Sequence, residues 1–357
     1  MIEIRPGTDA DRPQILARLA EIFGPEPAAR VDRLWDWQWR QDPRLPTPGY
    51  RGIVAEWRGQ IIGNLGTIPA GLHMDGKPVA AHWCVDMLVH WGLMRQALKE
   101  RRRQDPSMGP DLSRGLAAVL FDYPDAGSVQ LGKHISDDMM TIGERVGFTI
   151  IPGSGSMHRR VSLRYTLGRT LGRPLGGMIG AVADLGLPLG PRPHLPMEVL
   201  PGGFDGRFDR LWEDVRGLFP AICLRDARTL EWRYRQHPDD GYRVITTGDG
   251  ARLRGYLVLR SYEKGRRRWA KIVDLLTAPD DTEAARALLG GALRMLREWR
   301  AERVETFACG YGIADLFISM GFTPRLTKSG GAQPLMVRAL PTVAAGLYVT
   351  QGDGDGG

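Results

Sequence analysis

Laid against itself at one gapless offset of 195 residues, the chain matches itself. Glu3, Pro6, Gly7, Arg12, Leu16 and Pro25 meet Glu198, Pro201, Gly202, Arg207, Leu211 and Pro220. Arg30, Arg33, Trp37, Arg40, Gln41 and Pro43 meet Arg225, Arg228, Trp232, Arg235, Gln236 and Pro238. Ordinary residue frequencies would leave about three identities in a stretch of that length; there are twelve. Shorter matches continue in the same order: Gly49-Tyr50-Arg51 with Gly241-Tyr242-Arg243, Val85-Asp86-Met87-Leu88 with Val273-Asp274-Leu275-Leu276, and Gly147-Phe148 with Gly321-Phe322. Whatever this chain folds into must therefore accommodate two copies of one unit. Its 357 residues suit two domains of ordinary size.

Each copy reads as strand, helix, strands, helix, strand, helix, strand. In the first, Ile2 and Ile4 alternate, and a helix with Pro13 in its opening turn carries Ile15, Leu16, Leu19, Ile22 and Phe23 until Gly24 stops it. Strands 50–56 and 60–68 flank Arg58-Gly59 as a hairpin. A strand over 80–89, a helix over 93–104, an apolar strand over 116–121 and a closing strand over 157–163 complete the copy. The second repeats this with helical Phe208, Leu211, Trp212, Val215 and Leu218, a strand over 270–276, a long helix over 282–299 and a strand over 304–309. The expected organisation is a first domain over 1–165, a Gly/Pro/Arg-rich linker over 166–195, a second domain over 196–345 and a flexible tail over 346–357.

Composition removes several classes of function. With 43% apolar residues and ten tryptophans, the chain has ample material for folded cores. No uninterrupted apolar run reaches the roughly 18 residues of a membrane span, because Asp184 and Pro188 break the best one. The opening Met1-Ile2-Glu3-Ile4-Arg5 alternates like a strand rather than a secretory signal, so a cytoplasmic protein is expected. A peripheral membrane contact through the linker stays open. Cys84, Cys223 and Cys309 are far apart and odd in number, which points to buried thiols rather than disulfides or a zinc site. The net charge of +7 rests on 42 Arg and only 6 Lys, and the basic runs, 101–103 and 266–268, are short. Nucleic acid is accordingly not the expected partner, although an anionic one remains open. Neither GxSxG nor HExxH occurs, so hydrolase and metalloprotease readings lack support.

The order of elements, the Val-Asp-hydrophobic-hydrophobic strand before a helix and the Gly-Phe after the last helix resemble the GNAT superfamily of N-acetyltransferases. The carriers are 85–89 and 272–276 as the fourth strand, and 140–148 and 314–322 as the last helix. The likeness covers most of both halves and implies a mixed-sheet α/β fold of two tandem GNAT-like domains. Tandem members of that superfamily include N-myristoyltransferase, mycothiol synthase and Fem-type peptidyltransferases.

Resemblance to this superfamily implies an acetyl-CoA or other acyl-CoA co-substrate, no metal, and a small-molecule amine as acceptor. The family's glycine-bearing phosphate loop after the fourth strand is not intact in either copy. Copy one reads His90-Trp91-Gly92-Leu93-Met94-Arg95, with one glycine and a basic residue. Copy two reads Thr277-Ala278-Pro279-Asp280-Asp281-Thr282-Glu283; three carboxylates there repel a pyrophosphate but cap a helix well. The first copy is therefore the expected donor site, held by Val89, His90, Gly92, Leu93 and Arg95, with Arg101–Arg103 nearby. Asp86 is the expected catalytic base, against the alternative that Asp86 and Asp274 share a structural purpose. The last helix lacks the family's tyrosine acid, having Phe317 in copy two and no Tyr between 124 and 164 in copy one. The recurring aromatic stretches 34–40 and 230–235 suit core or domain packing better than an acceptor platform. The resulting expectation is an acyl-CoA-dependent N-acyltransferase acting on an amine, with a sugar or cell-envelope precursor as the candidate acceptor. A non-catalytic duplicated binding module and a Fem-like aminoacyl-tRNA-dependent transferase are the alternatives.

Overall fold

The structure, a computed structural model, describes residues 2–104, 128–135, 137–186, 194–265, 267–310, 312–325, 334–338 and 346–354. The opening strand Ile2–Pro6 leads into helix Arg12–Phe23, whose Ile15 and Leu19 lie one turn apart and face inward. Gly24, with φ of +95°, turns the chain into a second helix, Pro25–Trp39. Arg58 and Gly59 both adopt positive φ and close the tight hairpin between Gly52–Trp57 and Gln60–Pro69.

Two mixed sheets form the molecule. The first runs Ile2–Pro6, Gly52–Trp57, Gln60–Pro69, Ala81–Val89, Val129–Gly132, Met336–Arg338, Thr149–Ile150. The second runs Met197–Val199, Tyr242–Gly248, Leu253–Lys264, Arg267–Thr277, Arg303–Cys309, Leu347–Thr350, Ala221–Cys223, Leu72–Met74, Lys77–Pro78. Each of them contains strands from the other half. Met336–Arg338 pairs antiparallel with both Val129–Gly132 and Thr149–Ile150. Reciprocally, Gly155–Arg160 pairs antiparallel with both Arg303–Cys309 and Thr323–Pro324. The closing strand expected at the end of the first copy thus exists, but it completes the second sheet. This exchange gives the two halves a shared core, in which Trp35, Trp39, Trp83 and Leu131 cluster with Cys223, Phe307, Cys309 and Val349.

Three sequence expectations change here. The strand expected over 116–121 lies outside the described residues; the parallel partner of Ala81–Val89 is Val129–Gly132. Most of the expected linker is a helical hairpin, Arg164–Thr170 and Arg173–Leu185, because its glycines let two helices approach closely rather than acting as breakers. Over the described residues 346–354 the expected tail is instead interior structure: Leu347–Thr350 is a sheet strand, and Asp353 is fully buried against two arginines.

The aromatic stretches are packing elements, and they meet between the halves. Trp37 and Trp232, equivalent in the two copies, stack with ring centroids 4.4 Å apart and 9° between planes.

Candidate functional site

Strand Ala81–Val89 runs parallel to Val129–Gly132 only over Ala81, His82 and Trp83. Beyond that point the strands separate. Opposite Leu65 the register slips, with Asn64 facing Leu88 and Gly66 facing Val85, so Asp86 and Met87 share one partner residue. This is a β-bulge, and Asp86 takes the strained φ of +50° within it. Asn64 donates from Nδ2 to the Asp86 carbonyl at 2.9 Å, and the Tyr50 hydroxyl donates to Asn64 Oδ1 at 2.5 Å. Gln38 Nε2 lies 3.5 Å from Asp86 Oδ2. Burial, and then the charge of Asp86, pushes the Tyr50 phenol up, so it remains a neutral donor.

The separating strands open into a cleft of about 990 Å³. Cys84 to Val89 and Lys133 to Ile135 form one wall, Leu19, Ile22 and Val31 of the first two helices a second, and Ser156, Met157, Glu305 and Thr306 of the other sheet a third. Its charged lining is Arg30, Lys133, Arg260, Lys271 and Arg325 against Asp86, Asp239 and Glu305. Although burial opposes ionisation of Asp239, hydrogen bonds from Arg33 and Arg260 hold its carboxyl at about 2. The cleft is thus built by both halves, apolar beside the first helices and charged toward the second sheet.

In the second half the same divergence is closed. Arg267–Thr277 pairs with Arg303–Cys309 only from Trp269 to Lys271, and residues 350–354 fill the gap beyond Lys271. Gly352 N–H donates to the Val273 carbonyl at 2.6 Å. A Cβ on Gly352 would collide with the Tyr234 hydroxyl and approach Val273 O at 3.1 Å, so no side chain fits there. Asp274 accepts from Arg225 at 3.2 Å, Thr350 Oγ1 at 2.9 Å, and the hydroxyls of Tyr256 at 3.0 Å and Tyr234 at 3.2 Å. Asp353 accepts from Arg225 at 2.7 Å and Arg233 at 3.2 Å. Burial works against its charge, but these two arginines and the Thr350 N–H keep the carboxyl at about 2. Asp274 is therefore structural, whereas Asp86 lines a cavity; the shared sequence position has two different uses.

The helix after each fourth strand also differs between halves. In the first, Trp91–Gln104, His90 caps the helix through its own ring: Leu93 N–H donates to Nδ1 at 3.1 Å and Met94 N–H to the His90 carbonyl at 2.9 Å. Nδ1 as acceptor places the ring proton on Nε2, which lies 3.3 Å from Glu21. Among the expected donor-binding residues, Val89 is buried in the sheet, His90 N–H is bonded to the Ile62 carbonyl, and the Leu93 amide is taken by His90. Arg95 is exposed and donates to the Trp91 carbonyl. Among the described residues, the amides of Trp91 and Gly92 have no acceptor within the fold, so they are the two that point out of the first turn. In the second half, Asp281 caps Thr282–Glu298 by accepting from Ala284 N–H at 3.0 Å, and Arg254 bridges Asp281 and Glu283. The acidic turn is a cap, as its composition implies.

Of the residues expected from the sequence, Asp86 and Val89 line the cleft, whereas His90, Gly92, Leu93 and Arg95 are not in its lining; sequence reasoning missed Arg260, Tyr262 and Lys271, which reach it from other strands, and Lys133, which follows Val129–Gly132. Only Arg30, an identity of the repeat, carried a signal.

No family model and no curated protein matches this sequence. Solved structures do. A probable N-acyltransferase from Enterococcus faecalis superposes with a TM-score of 0.57 at 10% identity, over 95% of this chain and 72% of that one. A GCN5-related N-acetyltransferase from Anabaena variabilis gives 0.58 at 11%, over 96% and 73%. N-myristoyltransferase from Saccharomyces cerevisiae, with bound myristoyl-CoA, gives 0.54 at 11%, over 94% and 82%. The chain has the GNAT-like fold in tandem, and at such identities the fold is what is shared.

Proposed function

We propose that the protein is an acyl-CoA-dependent N-acyltransferase whose donor site is the first half's strand divergence and whose acceptor site is the charged side of the cleft. One observation carries this reading: of the two equivalent divergences, one opens into the cleft at the Asp86 bulge and the other is filled by the chain's own residues 350–354. The myristoyl-CoA of the yeast structure supports the donor class.

In this reading the amides of Trp91 and Gly92, with Arg95 on the same turn, receive the donor's phosphates at the helix start. The acyl chain lies against Leu19, Ile22 and Val31. The acceptor amine gives its proton to Asp86 and attacks the thioester carbonyl carbon; the C–N bond forms, the C–S bond breaks, and the thiolate leaves to be protonated. Backbone N–H groups at the bulge polarise the carbonyl. The acceptor is an amine on a sugar or cell-envelope precursor, and use of a CoA thioester puts the reaction in the cytoplasm.

Calorimetric titration with acetyl-CoA and longer acyl-CoAs tests the donor site. Gly92→Glu should weaken binding at least tenfold by setting a carboxylate against the phosphates; unchanged affinity would remove the donor from this helix start. A duplicated binding module without turnover is the second reading, favoured by the loss of the Leu93 amide to His90. Thiol release in the presence of amines, followed with the same preparation, separates the two.

A further inference from the structure

The hairpin Arg164–Thr170 and Arg173–Leu185 is packed the opposite way from the rest of the molecule. Where its helices cross, backbone meets backbone. A Cβ on Gly180 would collide with Arg164 Cα, and one on Gly176 with the Leu167 carbonyl. Large apolar side chains point outward instead: Leu175 is 55% exposed, Met178 67%, Val182 69% and Leu185 85%, with Leu171 and Ile179 beside them. Positions 175, 178, 182 and 185 are spaced by three, four and three, which is one face of the helix Arg173–Leu185. Glycine inside and large aliphatic residues outside is the arrangement of helices that meet lipid rather than water.

Charge distinguishes lipid from a protein partner. From 164 to 186 the sequence holds Arg164, Arg169 and Arg173 and a single acid, Asp184. Asp184 is turned inward, accepting from Ser162 Oγ at 2.7 Å and Leu163 N–H at 2.5 Å. Arg297 donates to the Asp184 and Val161 carbonyls, and Thr166 to Glu302, so the hairpin is anchored to the body. A seam for another helix would carry charged residues of both signs along its flanks; here the flanks are Gly177, Ile179, Ala181 and Ala183. Among the described residues no helix is long and apolar enough to cross a membrane. Thirteen residues reach only about 20 Å, so the helix lies along a surface rather than through it.

We propose that this hairpin docks the protein on an anionic lipid bilayer, apolar face down, with the net positive charge of the segment drawn to the headgroups. Flotation of the full chain with vesicles of phosphatidylglycerol and phosphatidylcholine tests it. The protein should float with the mixed vesicles, at least tenfold less with phosphatidylcholine alone, and less in 0.5 M than in 0.1 M salt, where screening weakens the arginines (roughly a halving of the Debye length). Met178→Glu with Val182→Glu should reduce partitioning at least tenfold. Met178→Ser alone, which adds no charge, should fall between. Leu218→Glu, at a 50% exposed apolar position elsewhere, should float like the parent. A parent protein that stays with the unbound fraction would overturn the proposal, as would a double variant that floats unchanged. Sedimentation showing a dimer that the double variant dissolves, without vesicle binding, would overturn it too and assign the face to a second copy.

Discussion

Trp37 and Trp232 exchange the same hydrogen bond in both directions: the indole N–H of Trp37 donates to the Trp232 carbonyl at 2.9 Å, and that of Trp232 to the Trp37 carbonyl at 3.0 Å. The residues are 195 positions apart, the offset of the repeat. A contact in which a residue meets its own equivalent lies on a two-fold axis, so the duplicated halves are related as subunits of a symmetric dimer would be. Both indoles are buried, and each satisfies its one donor through the other copy.

Truncating either ring should therefore be costly. Trp37→Ala or Trp232→Ala is expected to destabilise by about 3 to 5 kcal/mol, the usual range for a buried aromatic. The double variant should cost clearly less than the sum, since each single change already breaks both hydrogen bonds and the stack. Urea unfolding of the four proteins measures this.

His237 packs on the same indole, 4.4 Å from Trp37, and its burial, helped by the charge of Arg260, lowers its pKa to about 4. The folded state refuses a proton that the unfolded chain accepts near pH 6.5. Its contribution is thus complete above pH 6.5 and declines as pH falls toward 4, by roughly 3 kcal/mol in all. Unfolding free energies between pH 7.5 and 4 should show this slope, and His237→Gln should flatten it.

The two equivalent aspartates should respond oppositely. Asp86→Asn keeps a residue that tolerates positive φ and should leave stability within about 1 kcal/mol, while lowering turnover on the order of 100-fold or more. Asp274→Asn removes a charge from a sealed ion network and should cost about 3 kcal/mol or more. Thermal unfolding beside thiol-release kinetics distinguishes a base from a brace.

Asp353 neutralises Arg225 and Arg233, all three of them buried. Asp353→Ala should cost about 3 to 5 kcal/mol by leaving the guanidinium groups uncompensated. Chemical denaturation checks this, and a loss below about 1 kcal/mol would mean that water enters the site.

The repeat was legible because residues that sit on or near the symmetry axis, such as Trp37 and Trp232, stayed identical. The fourth strands were legible through Val85-Asp86 and Val273-Asp274, yet the sequence could not show that one aspartate faces a cleft and the other a salt bridge. That difference comes from residues 350–354, whose Gly-Asp-Gly composition reads as a frayed end. Their order comes from distant arginines that local pattern does not reveal. Alternation likewise marks Gly155–Arg160 as a strand without saying which sheet it joins. Lys133 and Lys271 reach the cleft through tertiary geometry alone.

The exchanged strands also impose an order of events on synthesis. When residue 150 leaves the ribosome, Val129–Gly132 and Thr149–Ile150 have both been made, but the strand that belongs between them is Met336–Arg338, about 190 residues away. At ordinary translation speeds that gap lasts roughly 10 to 40 s. Through that interval the nascent first sheet presents an unfilled slot, the kind of edge that invites a foreign strand, and only the later-made Met336–Arg338 can shut it.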